Sequence, residues 1–153
     1  MNFLIKFLAT GFFTGYIPKA PGTFATLFAS AIWWYAKPSK IFYFVSFFIV
    51  IIAFLVCGKA EKIFNIKDDQ RIVIDEMVGY FFAVAILPKT ILTLISGIIL
   101  FRFFDIRKPF FIKSFQKYPG SFGILADDIT CGIITNIILQ LFYEINKTYS
   151  WLS

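Results

Sequence analysis

The chain has 153 residues, which suits a single domain, and it is 59% hydrophobic and 21% aromatic with 22 Phe. Only 16% is charged, against about a quarter in a soluble domain, so composition argues against an ordinary water-soluble globule and for an integral membrane protein. The net charge is +6, but the 15 Lys and Arg are spread between hydrophobic segments, which argues against a nucleic-acid surface, and the lack of any histidine excludes His-based triads, His-nucleophile phosphatases and the usual zinc sites.

In chain order, Asn2 to Phe13 reads as a short interfacial helix with Lys6 able to snorkel. It lacks a small-residue cleavage site and is read as retained rather than as a signal peptide. Thr14 to Gly22 is broken by Gly15, Pro18, Pro21 and Gly22 and reads as a loop. Thr23 to Ala36 is apolar and stops at Lys37-Pro38-Ser39-Lys40. Ile41 to Cys57 carries no charge and reaches the lower length limit for a spanning helix. Gly58 to Arg71 is polar and mixed in charge. Ile74 to Leu87 is apolar apart from Asp75 and Glu76, and Pro88-Lys89 ends it. Thr90 to Phe104 is the next apolar segment, followed by a basic, Pro- and Gly-punctuated stretch from Asp105 to Ser121. Ile129 to Tyr143 is the last, with Asp127 or Asp128 expected as its N-cap. Cys57 and Cys131 each sit in an apolar segment and read as small core residues, not as a disulfide or metal pair.

The expected fold is therefore all-α: a multi-helical integral membrane protein with about five hydrophobic helices plus short interfacial helices, in one domain over residues 1–153. Some segments are short for the hydrocarbon core of about 30 Å, so a compact helical domain partly sunk in the bilayer is the alternative. If each segment crosses once, Lys19, Lys59, Lys62, Lys67, Arg71, Arg102, Arg107, Lys108, Lys113 and Lys117 share one side. Lys37, Lys40, Lys89 and Lys147 share the other. The positive-inside rule places the richer side in the cytoplasm. The same side collects every acid except Glu144, which points to one polar site at the cytoplasmic interface.

The chemistry gathers around Ile72-Val73-Ile74-Asp75-Glu76-Met77-Val78-Gly79. Two adjacent carboxylates in an apolar run must be paired, metal-bound or neutralised, unless they serve only a helix N-terminus. Asp105 and the pair Asp127-Asp128 add acids from two further segments. Carboxylates from three segments suit a hard divalent cation such as Mg²⁺, which polarises a phosphoryl oxygen or activates a water. Arg102 and Lys108 flank Asp105 and are placed to hold a phosphate or to form internal ion pairs. Neighbouring residues on a helix point about 100° apart, so Asp75 and Glu76 converge on one point only at a helix start or a kink. The loop from Gly15 to Thr23, with Lys19 and the Thr23 hydroxyl, leads into a helix start that can receive an anion or simply form a rigid turn.

Four blocks make the chain resemble the phosphatidylglycerophosphatase A family of bacterial membrane phosphatases. They are Gly15 to Leu27 with its Pro-Lys-Ala-Pro-Gly-Thr run, Asp68 to Gly79, Phe101 to Pro109, and Gly123 to Asp128 followed by Gly132. The resemblance implies Mg²⁺-dependent hydrolysis of phosphatidylglycerophosphate to phosphatidylglycerol and phosphate at the cytoplasmic face of the inner membrane. It implies a catalytic set of Asp75, Glu76, Asp105, Asp127 and Asp128, with Asp75, Glu76, Asp105 and Asp128 as metal ligands. Arg102, Lys108, Lys19 and Thr23 are the matching phosphate contacts. The partners expected are a phospholipid substrate and the membrane, with no nucleic acid. A catalytically silent or regulatory protein of the same fold is the alternative. An ion-coupled transporter fits less well, because the acids sit at segment ends and no internal repeat is present.

Overall fold

A computed structural model describes residues 1–36 and 40–150, so the Lys37-Pro38-Ser39 stop lies outside the described residues, as do the side chains of Lys40 and Lys147. Every regular element among the described residues is helical. Helix α1, Asn2–Ala9, ends short of the expected Phe13. Gly11, Phe12 and Phe13 all take positive φ, which no helix continues, and the Thr10 hydroxyl accepts from the Phe13 amide at 3.2 Å. A 3-10 turn at Thr14–Tyr16 follows. Helix α2, Pro21–Tyr35, begins two residues before the expected start. The fixed φ of Pro21 suits a first helical position, so this proline opens the helix instead of ending the loop.

Helix α3, Lys40–Phe64, runs for 25 residues, through the polar stretch expected to follow Cys57. Helix α4, Ile74–Val84, is only 11 residues long. Helix α5, Ile91–Arg107, is capped by Thr90, whose hydroxyl accepts from the Thr93 amide at 3.0 Å. It carries Asp105 in its last turns and stops at Lys108, which is left-handed. The short helix α6, Phe110–Lys113, and a 3-10 turn at Phe115–Lys117 lead to α7, Gly120–Ser150. This last helix starts well before Ile129, so neither Asp127 nor Asp128 caps it. Both are interior positions, and the Lys108 ammonium faces their carboxylates at 2.6 and 3.7 Å, which removes the need for an exposed helix end.

Helix α4 is the centre of the molecule. It packs most extensively against α7, and also against α2, α3 and α5. Nine of its eleven residues are buried. On one side Met77, Tyr80, Phe81 and Val84 meet Ala25, Ala29 and Trp33 of α2 together with Phe101 and Cys131. On the other, Ile74 and Val78 meet Ala53, Val56, Cys57 and Ala60 of α3 with Ile124 and Leu125 of α7. The α4–α7 crossing is made by glycines: a Cβ on Gly132 would collide with the Gly79 carbonyl, and one on Gly79 would lie 2.7 Å from the Asp128 carbonyl oxygen.

Among the described residues, two helices are long and apolar enough to cross a membrane, Phe42–Phe64 within α3 and Gly120–Asn146 within α7. Phe44, Phe47, Phe54 and Leu55 of α3 are all more than half exposed. A continuous apolar face of that kind is unstable in water and suits lipid. Of the about five hydrophobic helices expected, these two are the ones with the length and apolar character of a span among the described residues. At 1.5 Å per residue, α2, α4 and α5 are about 22, 16 and 26 Å long. None reaches about 30 Å, and α4 is wrapped by protein, so its apolar character comes from a core role.

Candidate active site

The first turn of α4 carries Asp75 and Glu76. A helix start is one of the two arrangements in which adjacent side chains can converge, and here they do. One carboxylate oxygen from each of Asp75, Glu76 and Asp128 lies within 4.8 Å of the others. Asp128 reaches them because the glycine crossing brings the backbones of α4 and α7 together. Asp75 Oδ1, Glu76 Oε2 and Asp128 Oδ1 are buried and have no hydrogen-bond partner. Burial, followed by the charge of Glu76, pushes Asp75 well above the usual carboxylate range. Burial, followed by Asp128 and Asp105, does the same to Glu76. Such a cluster holds a proton or a cation between its oxygens.

The cationic side is built from the C-terminal end of α5. Arg102 donates to Asp105 and lies 3.9 Å from Glu76 Oε1, while its buried Nε has no partner. Lys108 donates to Asp127 at 2.6 Å and lies 3.6 Å from Asp105 and 3.7 Å from Asp128. Burial alone would lower the proton affinity of Lys108, but Asp128, Asp127 and Asp105 override it and keep the ammonium charged above the ordinary lysine range. Asp105, expected among the metal ligands, lies outside the three-oxygen group and is instead the link between Arg102 and Lys108.

These residues line a cleft of about 280 Å³ whose other walls are Ala20, Pro21, Gly22 and the loop Asp68 to Ile72. Six carboxylates line it (those of Asp68, Asp69, Asp75, Glu76, Asp105 and Asp128) against the two cationic side chains Arg102 and Lys108. That excess of negative charge favours a bound cation. Gly22 brings the start of α2 against Glu76 and Arg102. Lys19 and Thr23, expected as phosphate contacts, are not in the lining. Lys19 is exposed on the turn before α2, and the amides of Thr23 and Phe24 are spent on the Ala20 carbonyl at 3.0 and 3.4 Å. The loop meets the cleft through Ala20, Pro21 and Gly22, with Gly22 in closest approach.

Sequence reasoning missed Asp69 and Arg71. Asp69 is buried and takes two hydrogen bonds from the Arg71 guanidinium, at 2.8 and 2.6 Å, and one from the Arg71 amide. The Arg71 side-chain hydrogen bond, against the cost of burial, holds Asp69 below the usual carboxylate range. Arg71 in turn lies over the Phe64 ring, 4.0 Å from its centroid. This clamp fixes the loop that leads into α4. The available signal was the run Asp68-Asp69-Gln70-Arg71, which reads as a solvated polar turn unless the loop is known to fold over a site.

The family model described as Phosphatidylglycerophosphatase A matches residues 7–143 of the chain. A protein of Bacteroides thetaiotaomicron named "Putative phosphatidylinositol-3-phosphatase" is 31% identical over 149 residues, covering 92% of this chain and 94% of that protein. A protein of Haemophilus influenzae named "Phosphatidylglycerophosphatase A" is 34% identical over 140 residues, covering 88% and 86%. One of the same name from Escherichia coli is 32% identical over 136 residues, covering 86% and 79%. No solved structure matches the chain.

Proposed function

From the premise that the chain belongs to the phosphatidylglycerophosphatase A family of phosphatases, we propose that it removes the terminal phosphate of phosphatidylglycerophosphate, with Mg²⁺, at the cytoplasmic face of a bacterial inner membrane. The observation that carries this reading is the convergence of the Asp75, Glu76 and Asp128 carboxylates, each with one buried oxygen that takes no hydrogen bond, beside Arg102 in one cleft. The residues fit the cation: all three offer hard carboxylate oxygens, and each residue keeps one buried oxygen without a hydrogen bond. Asp75, Glu76 and Asp128 would hold it, and when bound it supplies Lewis acidity at the phosphoryl group.

The side chains divide the remaining work. Arg102 has a buried Nε left over for a phosphoryl oxygen after Asp105 has taken its Nη1. Lys108 is held by Asp127, and its charge keeps Asp105 and Asp128 in place. The loop clamped by Asp69 and Arg71 closes the cleft opposite them. In the reaction, water oxygen bonds to phosphorus, the phosphorus–oxygen bond to the lipid glycerol breaks, and the released oxygen takes a proton. The products are phosphatidylglycerol and inorganic phosphate.

Helices α3 and α7 support the membrane placement. Lys59, Lys62 and Lys67 lie near or just past the C-terminal end of α3, on the side where α7 begins, and positive charge favours the cytoplasm. The test is product analysis with purified protein in detergent micelles. Phosphatidylglycerol and phosphate should form from phosphatidylglycerophosphate with Mg²⁺ and cease in excess chelator. Undiminished release in chelator would remove the metal from this account, and no release across divalent metals would remove the activity.

A further inference from the structure

The cleft at Asp75 has a neighbour. Asp68 stands in its wall and also in the wall of a second cleft of about 320 Å³, lined by Glu61, Lys67, Tyr118, Gly120 and Gly123. Glu61 Oε1 accepts from the Asp68 amide at 3.0 Å, so the partition between the two clefts is tied to α3. The opposite wall is equally fixed: a Cβ on Gly123 would collide with the Tyr118 carbonyl, so the first turn of α7 is pressed against that backbone. The Tyr118 ring packs against Phe122 at 5.5 Å. Beyond Lys67, Lys62 and Asn65 border a further recess.

The wall chemistry changes along this path. The first cleft joins the three-carboxylate group to Arg102. The second offers a carboxylate and a phenol, groups that exchange hydrogen bonds with hydroxyls. Lys67 also lines the second cleft, and Lys67 and Lys62 border the further recess beside it. The substrate likewise joins a phosphomonoester to a polyol that carries a phosphodiester, and the two clefts adjoin at Asp68. The path also lies between the end of α3 and the start of α7, the level at which two spanning helices leave the bilayer and lipid headgroups sit.

We propose that the second cleft is a polyol subsite. Glu61 and Tyr118 hold the hydroxyl of the glycerol that carries the terminal phosphate, and Lys67 meets the phosphodiester that joins this glycerol to the lipid. The assignment rests on the phosphatase reading and adds to it the basis of selection. The enzyme distinguishes a phosphomonoester on a polyol headgroup from phosphatidic acid, whose phosphomonoester sits directly on diacylglycerol.

The experiment compares kcat/KM for phosphatidylglycerophosphate and for phosphatidic acid in the same mixed micelles with Mg²⁺, for wild type, Glu61→Gln, Tyr118→Phe and Lys67→Ala. Glu61→Gln retains an acceptor for the Asp68 amide, and Tyr118→Phe retains the ring against Phe122. Each variant should lower the ratio of the two constants by about tenfold, the scale of one lost hydrogen bond to a charged group. Because both substrates are measured on one preparation, a smaller folded fraction cancels from the ratio. Wild-type hydrolysis of phosphatidylglycerophosphate with an unmoved ratio in all three variants would overturn the subsite and leave the phosphatase reading standing. Release from neither lipid by wild type would overturn both.

Discussion

Gly22 and Glu76 show how closely single atoms are matched here. A Cβ on Gly22 would collide with Glu76 Oε1 and come within 3.0 Å of Arg102 Nη1. Gly22 sits in the first turn of α2, so alanine costs the helix nothing there. The Gly22→Ala variant should therefore keep its helical circular dichroism and lose at least about tenfold in kcat, because the Glu76 carboxylate must leave its observed position beside Arg102. Wild-type turnover would show that Glu76 does not need its observed position. Legibility at this scale depended on cost. Asp75 and Glu76 stood out because two charges in an apolar run demand an explanation. Asp69 did not, because a charge beside Arg71 in a polar stretch looks already satisfied by solvent, and its burial is set by a fold around it. Gly22 was visible only as a breaker of structure, and its close approach to Glu76 comes from α4, fifty residues away in the chain.

The crossing of α4 and α7 is the element on which the site turns. Gly79 and Gly132 let the two backbones approach, and this sets Asp128 against the first turn of α4. The Gly132→Val variant has to push the helices apart, since its Cβ would overlap the Gly79 carbonyl. It should lower the thermal midpoint and raise the Mg²⁺ concentration for half-maximal activity by at least about tenfold, although residue 132 is not one of the acids. Unchanged Mg²⁺ dependence would mean that the cation does not need Asp128. Helix existence was readable from apolar runs and breakers, but ends were not. The Ile41–Cys57 run continues to Phe64 because Lys59, Glu61 and Lys62 are good helix formers that can leave the bilayer while still helical. Helix α7 begins at Gly120 because Lys108, distant in sequence, neutralises the acids that otherwise look like a cap. Helix α4 was read as a possible span because a lipid-facing helix and a protein-wrapped one share a composition; its length of 11 residues separates them.

At the scale of the molecule, two long helices hold a small bundle with the acids Asp68, Asp69, Asp75, Glu76, Asp105 and Asp128 gathered at one cleft. Cys57 and Cys131 are buried, so an introduced surface thiol can be labelled against a low background. Ile66, 54% exposed just beyond the end of α3, is the position to use. In intact cells, Ile66→Cys should resist a membrane-impermeant maleimide and react after permeabilisation; labelling without permeabilisation would place the site on the outer face. The central claim is that carboxylates from α4 and α7 jointly hold the cation that the hydrolysis requires. The measurement that tests it most directly is phosphate release from phosphatidylglycerophosphate as a function of Mg²⁺ concentration, for wild type, Asp75→Asn and Asp128→Asn. The account predicts a saturable Mg²⁺ requirement in wild type, and in each variant either a loss of turnover of at least about a hundredfold or a shift of the requirement to at least about tenfold higher Mg²⁺. Wild-type turnover and wild-type Mg²⁺ dependence in both variants would contradict it.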